Sequence, residues 1–195
     1  MRPGELTPVD YTQPAITPTS DSAGLLDEPS IVVLGLGNLL YGDEGFGVHA
    51  LHQLQAQYPP NAPIGWIDGG VAGLDLLPLV ESCTCLLVLD AVDAGLAPGS
   101  LCELHGEQLL RSTGLHLSEH QVSFQDVLGL AYIRGNLPSQ LRLLGAQPAR
   151  LATCAELSPA LQAALEQLVP RAEAIIEDFG NISIIRGNGT GIKQG

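Results

Sequence analysis

Ile31 to Leu36 is an unbroken apolar run of strand length, and it leads into a glycine-rich loop that carries two acids, Asp43 and Glu44. A strand with no polar residue on either face must be covered on both sides. Phe46, Ala50, Leu51 and Leu54 then recur at helical spacing as far as about Tyr58, where Pro59-Pro60 stops the helix. A doubly buried strand followed by an amphipathic helix is the opening unit of a layered α/β domain.

The remaining chain repeats that alternation. Residues 64–67 read as a second strand ending at Asp68-Gly69-Gly70, and the leucines from Leu74 to Val80 as a second helix. Residues 85–89 form a third strand closing at Asp90, and Pro98-Gly99 turns the chain into a fourth over residues 100–104. Ser118 or Glu119 is expected to open a helix through Val122, Val127, Leu128, Leu130 and Ala131. Residues 141–146 supply the fifth strand. Ser158-Pro159 starts a last helix to about Asp178, with a kink expected near Pro170. The expected fold is α/β: three layers, α/β/α, around a five-stranded, mostly parallel, twisted sheet. Residues 31–180 are read as one domain, residues 1–30 as a Pro/Thr/Ser-rich flexible leader and 181–195 as a loosely ordered tail.

Composition narrows the partners. Eight Lys plus Arg face 21 Asp plus Glu, a formal charge of −13. Such a field repels phosphate backbones and anionic lipid, so nucleic acid is excluded. No apolar run reaches the roughly 18–20 residues of a membrane span, and mean hydropathy is +0.22. No charged and apolar signal pattern opens the sequence, so the expected compartment is the cytoplasm. Cys83, Cys85, Cys102 and Cys154 make no CxxC pair; they read as reduced thiols, with Cys83 and Cys85 on one strand face.

In open α/β sheets, sites form beyond the carboxyl ends of the strands. Three segments so placed carry potential metal ligands: Glu44 after the first strand, Asp90 at the end of the third, and His120 after the fourth. Ser118 and Gln121 fit a capping pattern that puts His120 in a first helical turn, where the dipole favours the neutral, metal-binding imidazole. His49 and His52 are expected on the solvated face of the first helix, and His105 and His116 in a polar connection. Gly35-Leu36-Gly37-Asn38 begins like a phosphate loop, but there is no GxGxxG and no Walker Lys-Ser/Thr. Asp43 and Glu44 would repel phosphate, so no organic cofactor is expected.

The run Val33-Leu34-Gly35-Leu36-Gly37-Asn38-Leu39-Leu40, with Gly42-Asp43-Glu44-Gly45 and Gly47-Val48, resembles the opening of the nickel–iron hydrogenase maturation peptidases. Asp68-Gly69-Gly70-Val71-Ala72-Gly73 resembles their second signature and Leu89-Asp90-Ala91-Val92 with Pro98-Gly99 the third. Ser118-Glu119-His120-Gln121 with Asp126-Val127-Leu128 resembles the fourth. The resemblance implies that Glu44, Asp90 and His120 are both the metal-binding and the catalytic residues. Gly37, Asn38, Asp43, Asp68, Gly69 and Gly70 would support them.

It also implies an endopeptidase that removes a C-terminal extension from a nickel–iron hydrogenase large-subunit precursor after nickel insertion. The nickel would be presented by the precursor. The nucleophile is then water, since no GxSxG and no Cys with a matching His signature is present. An aspartic-type pair, Asp90 with Glu44 or with Asp68, is the alternative mechanism. A related metal-dependent peptidase with another substrate, or a non-catalytic nickel-binding chaperone or sensor, are alternative functions.

Overall fold

The first apolar run forms β1 (Ile31–Leu36), buried at every residue. It lies between β2 (Ile64–Gly70) and β3 (Cys85–Asp93), parallel to both. Beyond β3 come β6 (Gln140–Ala146), also parallel, and β4 (Leu101–His105), antiparallel at the edge, so the order is β2-β1-β3-β6-β4. The five-stranded, mostly parallel sheet is thus present. The computed structural model describes residues 31–111, 116–117, 123–149 and 156–180. The expected leader, the tail, Cys154, and His120 with its Ser118 cap lie outside the described residues.

Strand alternation sends side chains to two apolar layers. Ile31, Val33, Cys85, Leu87 and Leu89 pack under α1 (Phe46–Gln55) and α5 (Pro159–Phe179). Val32, Leu34, Leu36, Leu86, Val88 and Val92 pack on the other face. There they meet Val80 of α2 (Leu77–Ser82), Leu109 of α3 (Glu107–Arg111), and Val127 and Leu128 of α4 (Phe124–Ile133). This is the three-layer arrangement. The long helix α5 passes through Pro170 as one element, capped at Ser158, whose hydroxyl accepts the Leu161 N–H. Among the described residues, no helix is long and apolar enough to cross a membrane.

Several local expectations are corrected. β3 continues past Asp90 to Asp93, and the short β5 (His116–Leu117) pairs antiparallel with that extension, Leu117 opposite Val92. α4 opens at Phe124, not near Ser118. Its cap is Ser123, joined in a reciprocal capping box with Asp126. The dipole argument for a neutral His120 in that first turn therefore falls. Cys83 ends α2 before the strand begins, so it faces the α4 layer while Cys85 faces α5. Both are free and buried, and burial pushes the Cys83 thiol up to about 11, which keeps it protonated and inert.

The glycines of the first loop set how closely α1 meets the sheet. Gly37 holds φ at +120°, a conformation that side chains disfavour, as the chain turns off β1. Gly47, in the first turn of α1, lies against the carbonyl oxygens of Leu36 and Leu89, and a Cβ there would be driven into them. We expect Gly47→Ala to lower stability by about 3 kcal/mol, because backbone on both sides cannot yield as a side chain would. Urea denaturation of the two proteins measures this, and an unchanged midpoint would show that α1 can lift off without penalty.

Candidate active site

Asp90 lies inside β3 and is fully buried. Its pairing with β1 has ended by this point, since the last β3 residue paired with β1 is Leu89, opposite Gly35. The backbone beyond has lost that neighbour, and the Ala91 N–H donates to Asp90 Oδ1 at 2.8 Å instead. Asp90 Oδ2 is equally buried and has no hydrogen-bond partner among the described residues. An ionised carboxylate is costly in that setting. Burial pushes the Asp90 carboxyl up to about 8; the Ala91 N–H pulls the other way, and the charge of Glu44 adds to the rise.

Glu44 reaches this position from the short 3-10 turn Asp43–Gly45 between β1 and α1, where it is half-buried. Its neighbour Asp43 has a different task. That carboxylate is almost wholly buried, and it accepts the N–H of Ala149 at 2.8 Å and of Ser158 at 2.7 Å. Ser158 caps α5, so Asp43 serves the positive end of that helix and not the start of α1. The pair of acids expected from the sequence therefore divides: Asp43 anchors the turn, and the charge of Glu44 acts on Asp90.

Asp68 is exposed, and its Oδ1 accepts the Gly70 N–H at 3.0 Å. It pairs in register with Gly35, which places it on the α1 face of the sheet, whereas Asp90 alternates with Val88 and Val92 onto the α4 face. The two carboxylates thus stand on opposite faces of the sheet. Gly69 packs against Leu34 and Leu36, and Gly37 donates its N–H to Gly70 O at 2.9 Å, tying the loops after β1 and β2 together. Asn38 closes its own turn by accepting the Leu40 N–H at 3.0 Å.

The described residues hold no cluster of three His, Cys, Asp or Glu side chains suited to a metal. Of the three expected ligands, Glu44 acts on Asp90 through its charge, and His120 lies outside the described residues. Among the other histidines, His52 is exposed as expected, His105 ends β4 beside Glu103 and Arg142, and His116 belongs to β5. His49 departs from expectation: its Nε2 is enclosed without a partner, and burial, then His52, holds its pKa down. Sequence reasoning missed Gln147, whose Oε1 accepts the Ala94 and Leu96 N–H groups at 2.9 and 3.0 Å and so shapes the loop after β3. No local motif marks it.

The raised Asp90 pKa has a consequence for stability. An unfolded Asp loses its proton near pH 4, while the folded chain keeps it until about pH 8. Across that window the folded state binds the extra proton, so wild-type stability falls as pH rises. Asp90→Asn removes the dependence. With chelator present, its stability advantage over wild type should grow from about pH 5 to pH 8 and then level off. Urea midpoints at each pH test this, and a gap independent of pH would show that Asp90 titrates normally.

Comparison with known proteins agrees with this architecture. Residues 48–175 match the family model described as hydrogenase maturation protease. The hydrogenase expression/formation protein HoxM of Azotobacter vinelandii is 42% identical over 153 residues, 73% of this chain and 74% of the relative. The hydrogenase 2 maturation protease of Escherichia coli is 32% identical over 157 residues, covering 80% of this chain and 96% of the relative. The solved structure of the hydrogenase maturating endopeptidase HybD from E. coli superposes with a TM-score of 0.71 at 31% identity, over 77% of this chain and 93% of that one. The chain belongs to the hydrogenase maturation protease family and is, as its relatives are, an endopeptidase of the hydrolase class.

Proposed function

We propose that this endopeptidase removes the C-terminal extension of a nickel–iron hydrogenase large-subunit precursor, and that it does so after nickel has been inserted. Glu44, Asp90 and His120 are the residues assigned to the metal and to the chemistry. The observation that carries the reading is the buried, unpartnered Asp90 Oδ2 beside Glu44, at the end of the sheet where α/β sites form. A buried carboxylate oxygen without a hydrogen bond fits a cation as its missing partner, and an oxygen-rich donor set accepts nickel, zinc or manganese. The nickel is treated as part of the substrate, held by the precursor when it arrives. The cytoplasm is the compartment this reading assigns.

Precursor-borne nickel would supply polarisation of the scissile carbonyl or of an attacking water. The chain's own groups do the rest. Asp43 fixes the turn from which Glu44 approaches, through its bonds to Ala149 and Ser158. Asp90, protonated near neutrality, holds its proton between Oδ2 and the site. Once ionised, it can take a proton from water and return it to the leaving amine. One observation also favours the aspartic-type alternative: two neighbouring carboxyls of which one keeps its proton form a pair with divided acid and base roles.

The deciding experiment is a processing assay read by intact mass, with nickel-loaded and nickel-free precursor. Cleavage of the loaded form alone supports the nickel checkpoint, and equal cleavage of both transfers the chemistry to the carboxylate pair. Glu44→Gln, Asp90→Asn and His120→Gln should each reduce processing by about a hundredfold or more with circular dichroism unchanged. Normal processing by all three would remove the site assignment.

A further inference from the structure

Among the described residues, nine large apolar side chains are exposed, and they gather at the two ends of the sheet. Leu130, Tyr132 and Ile133 close α4 at the end where β3 begins, as the Ser139 hydroxyl bond to the Thr84 carbonyl just beyond α4 indicates. The other six border the candidate site. Leu39, Leu40 and Tyr41 follow β1, Val71 and Leu74 follow β2, and Leu96 follows β3. Because these strands are neighbours in the sheet, their loops form one rim.

The rim stands on ordered backbone. Leu39 packs over the turn that carries Glu44, its Cα only 2.9 Å from where a Cβ on Gly45 would be. The Gly37–Gly70 and Gln147–Leu96 hydrogen bonds fix the loops relative to one another. Among the described residues the charge around them has one sign. Residues 31–110 contain neither Lys nor Arg, while Glu44, Asp68, Asp75 and Asp93 lie on or beside these loops. Arg134, Arg142 and Arg171 are engaged elsewhere, with Glu81 and with Glu103. A second copy of the chain would bring acid against acid, and an anionic bilayer would be repelled. The complementary occupant is a polypeptide segment with apolar side chains around positive charge.

We propose that the rim formed by Leu39, Leu40, Tyr41, Val71, Leu74 and Leu96 seats such an apolar, positively charged segment of the precursor, which delivers the scissile bond to Glu44 and Asp90. The proposal rests on the peptidase reading and adds to it the surface that selects the substrate. Docking there contributes affinity, whereas the acidic pair contributes the chemical step.

The test uses the full-length enzyme, the nickel-loaded large-subunit precursor, and two double variants. Leu40→Ser with Val71→Ser alters the rim, where both side chains are at least half exposed; Tyr132→Ser with Ile133→Ser alters the opposite end. The rim variant should bind precursor about tenfold more weakly and raise KM to match, with kcat within about twofold of wild type. Wild-type binding should weaken as salt is raised, and the second variant should behave as wild type. Unchanged precursor affinity in the rim variant overturns the proposal. So does a wild-type dimer that the rim variant dissolves in sedimentation, which would assign the rim to self-association. A wild type that binds precursor through the rim yet leaves it uncut would overturn the peptidase assignment and leave the docking surface standing.

Discussion

The contact on which the site depends is one between backbones: the first turn of α1, at Gly47, lies directly against the carbonyls of β1 and β3. A side chain of any size would hold the helix off the sheet. The turn that carries Glu44 immediately precedes that helix, so how closely the helix meets the sheet also sets where that turn lies. Gly35 extends the same constraint, since a Cβ there would meet the Gly47 carbonyl oxygen at 2.7 Å. The glycine spacing thus serves packing where, in a nucleotide-binding loop, it would serve phosphate.

That close approach sets the turn of a half-buried Glu44 near a carboxyl that is fully buried. The pairing of β1 with β3 ends at Leu89, and the next N–H but one, that of Ala91, is taken by the Asp90 side chain. The result is a carboxyl with one oxygen satisfied and one not. Such a group destabilises the fold when ionised and is retained for what it can bind or protonate. Asp43, only one residue before Glu44, shows the opposite solution. Its charge is fully met by two backbone donors, so it can be buried as an anchor.

The sequence disclosed the fold at the level of strands because doubly buried strands leave long apolar runs, as in residues 31–36 and 85–89. It nominated Glu44 and Asp90 as candidates because they follow such runs. It was less informative wherever a long-range partner decides the outcome. Nothing local says that Asp43 will reach Ser158, that Gln147 will hold the loop after β3, or that Asp68 and Asp90 fall on opposite faces. The start of α4 was misplaced for a related reason: Ser118 and Ser123 are both plausible caps, and the match with Asp126 at the third position favours the second only when the helix is seen. Cys83 was misassigned because two residues of spacing imply a shared face only within one strand.

The Asp43 anchor also bears on when the enzyme becomes active. Its two hydrogen bonds span 106 and 115 residues of sequence, joining the first loop of the domain to the cap of its final helix. Contacts of that range close late, after the entropy of a long loop has been overcome. During synthesis the turn bearing Glu44 exists long before α5 does, yet the bond from Asp43 to Ser158 cannot form until α5 docks. A chain that stops short of α5 would therefore carry Glu44 and Asp90 without the Asp43 anchor, and the anchored site would come only with the completed domain.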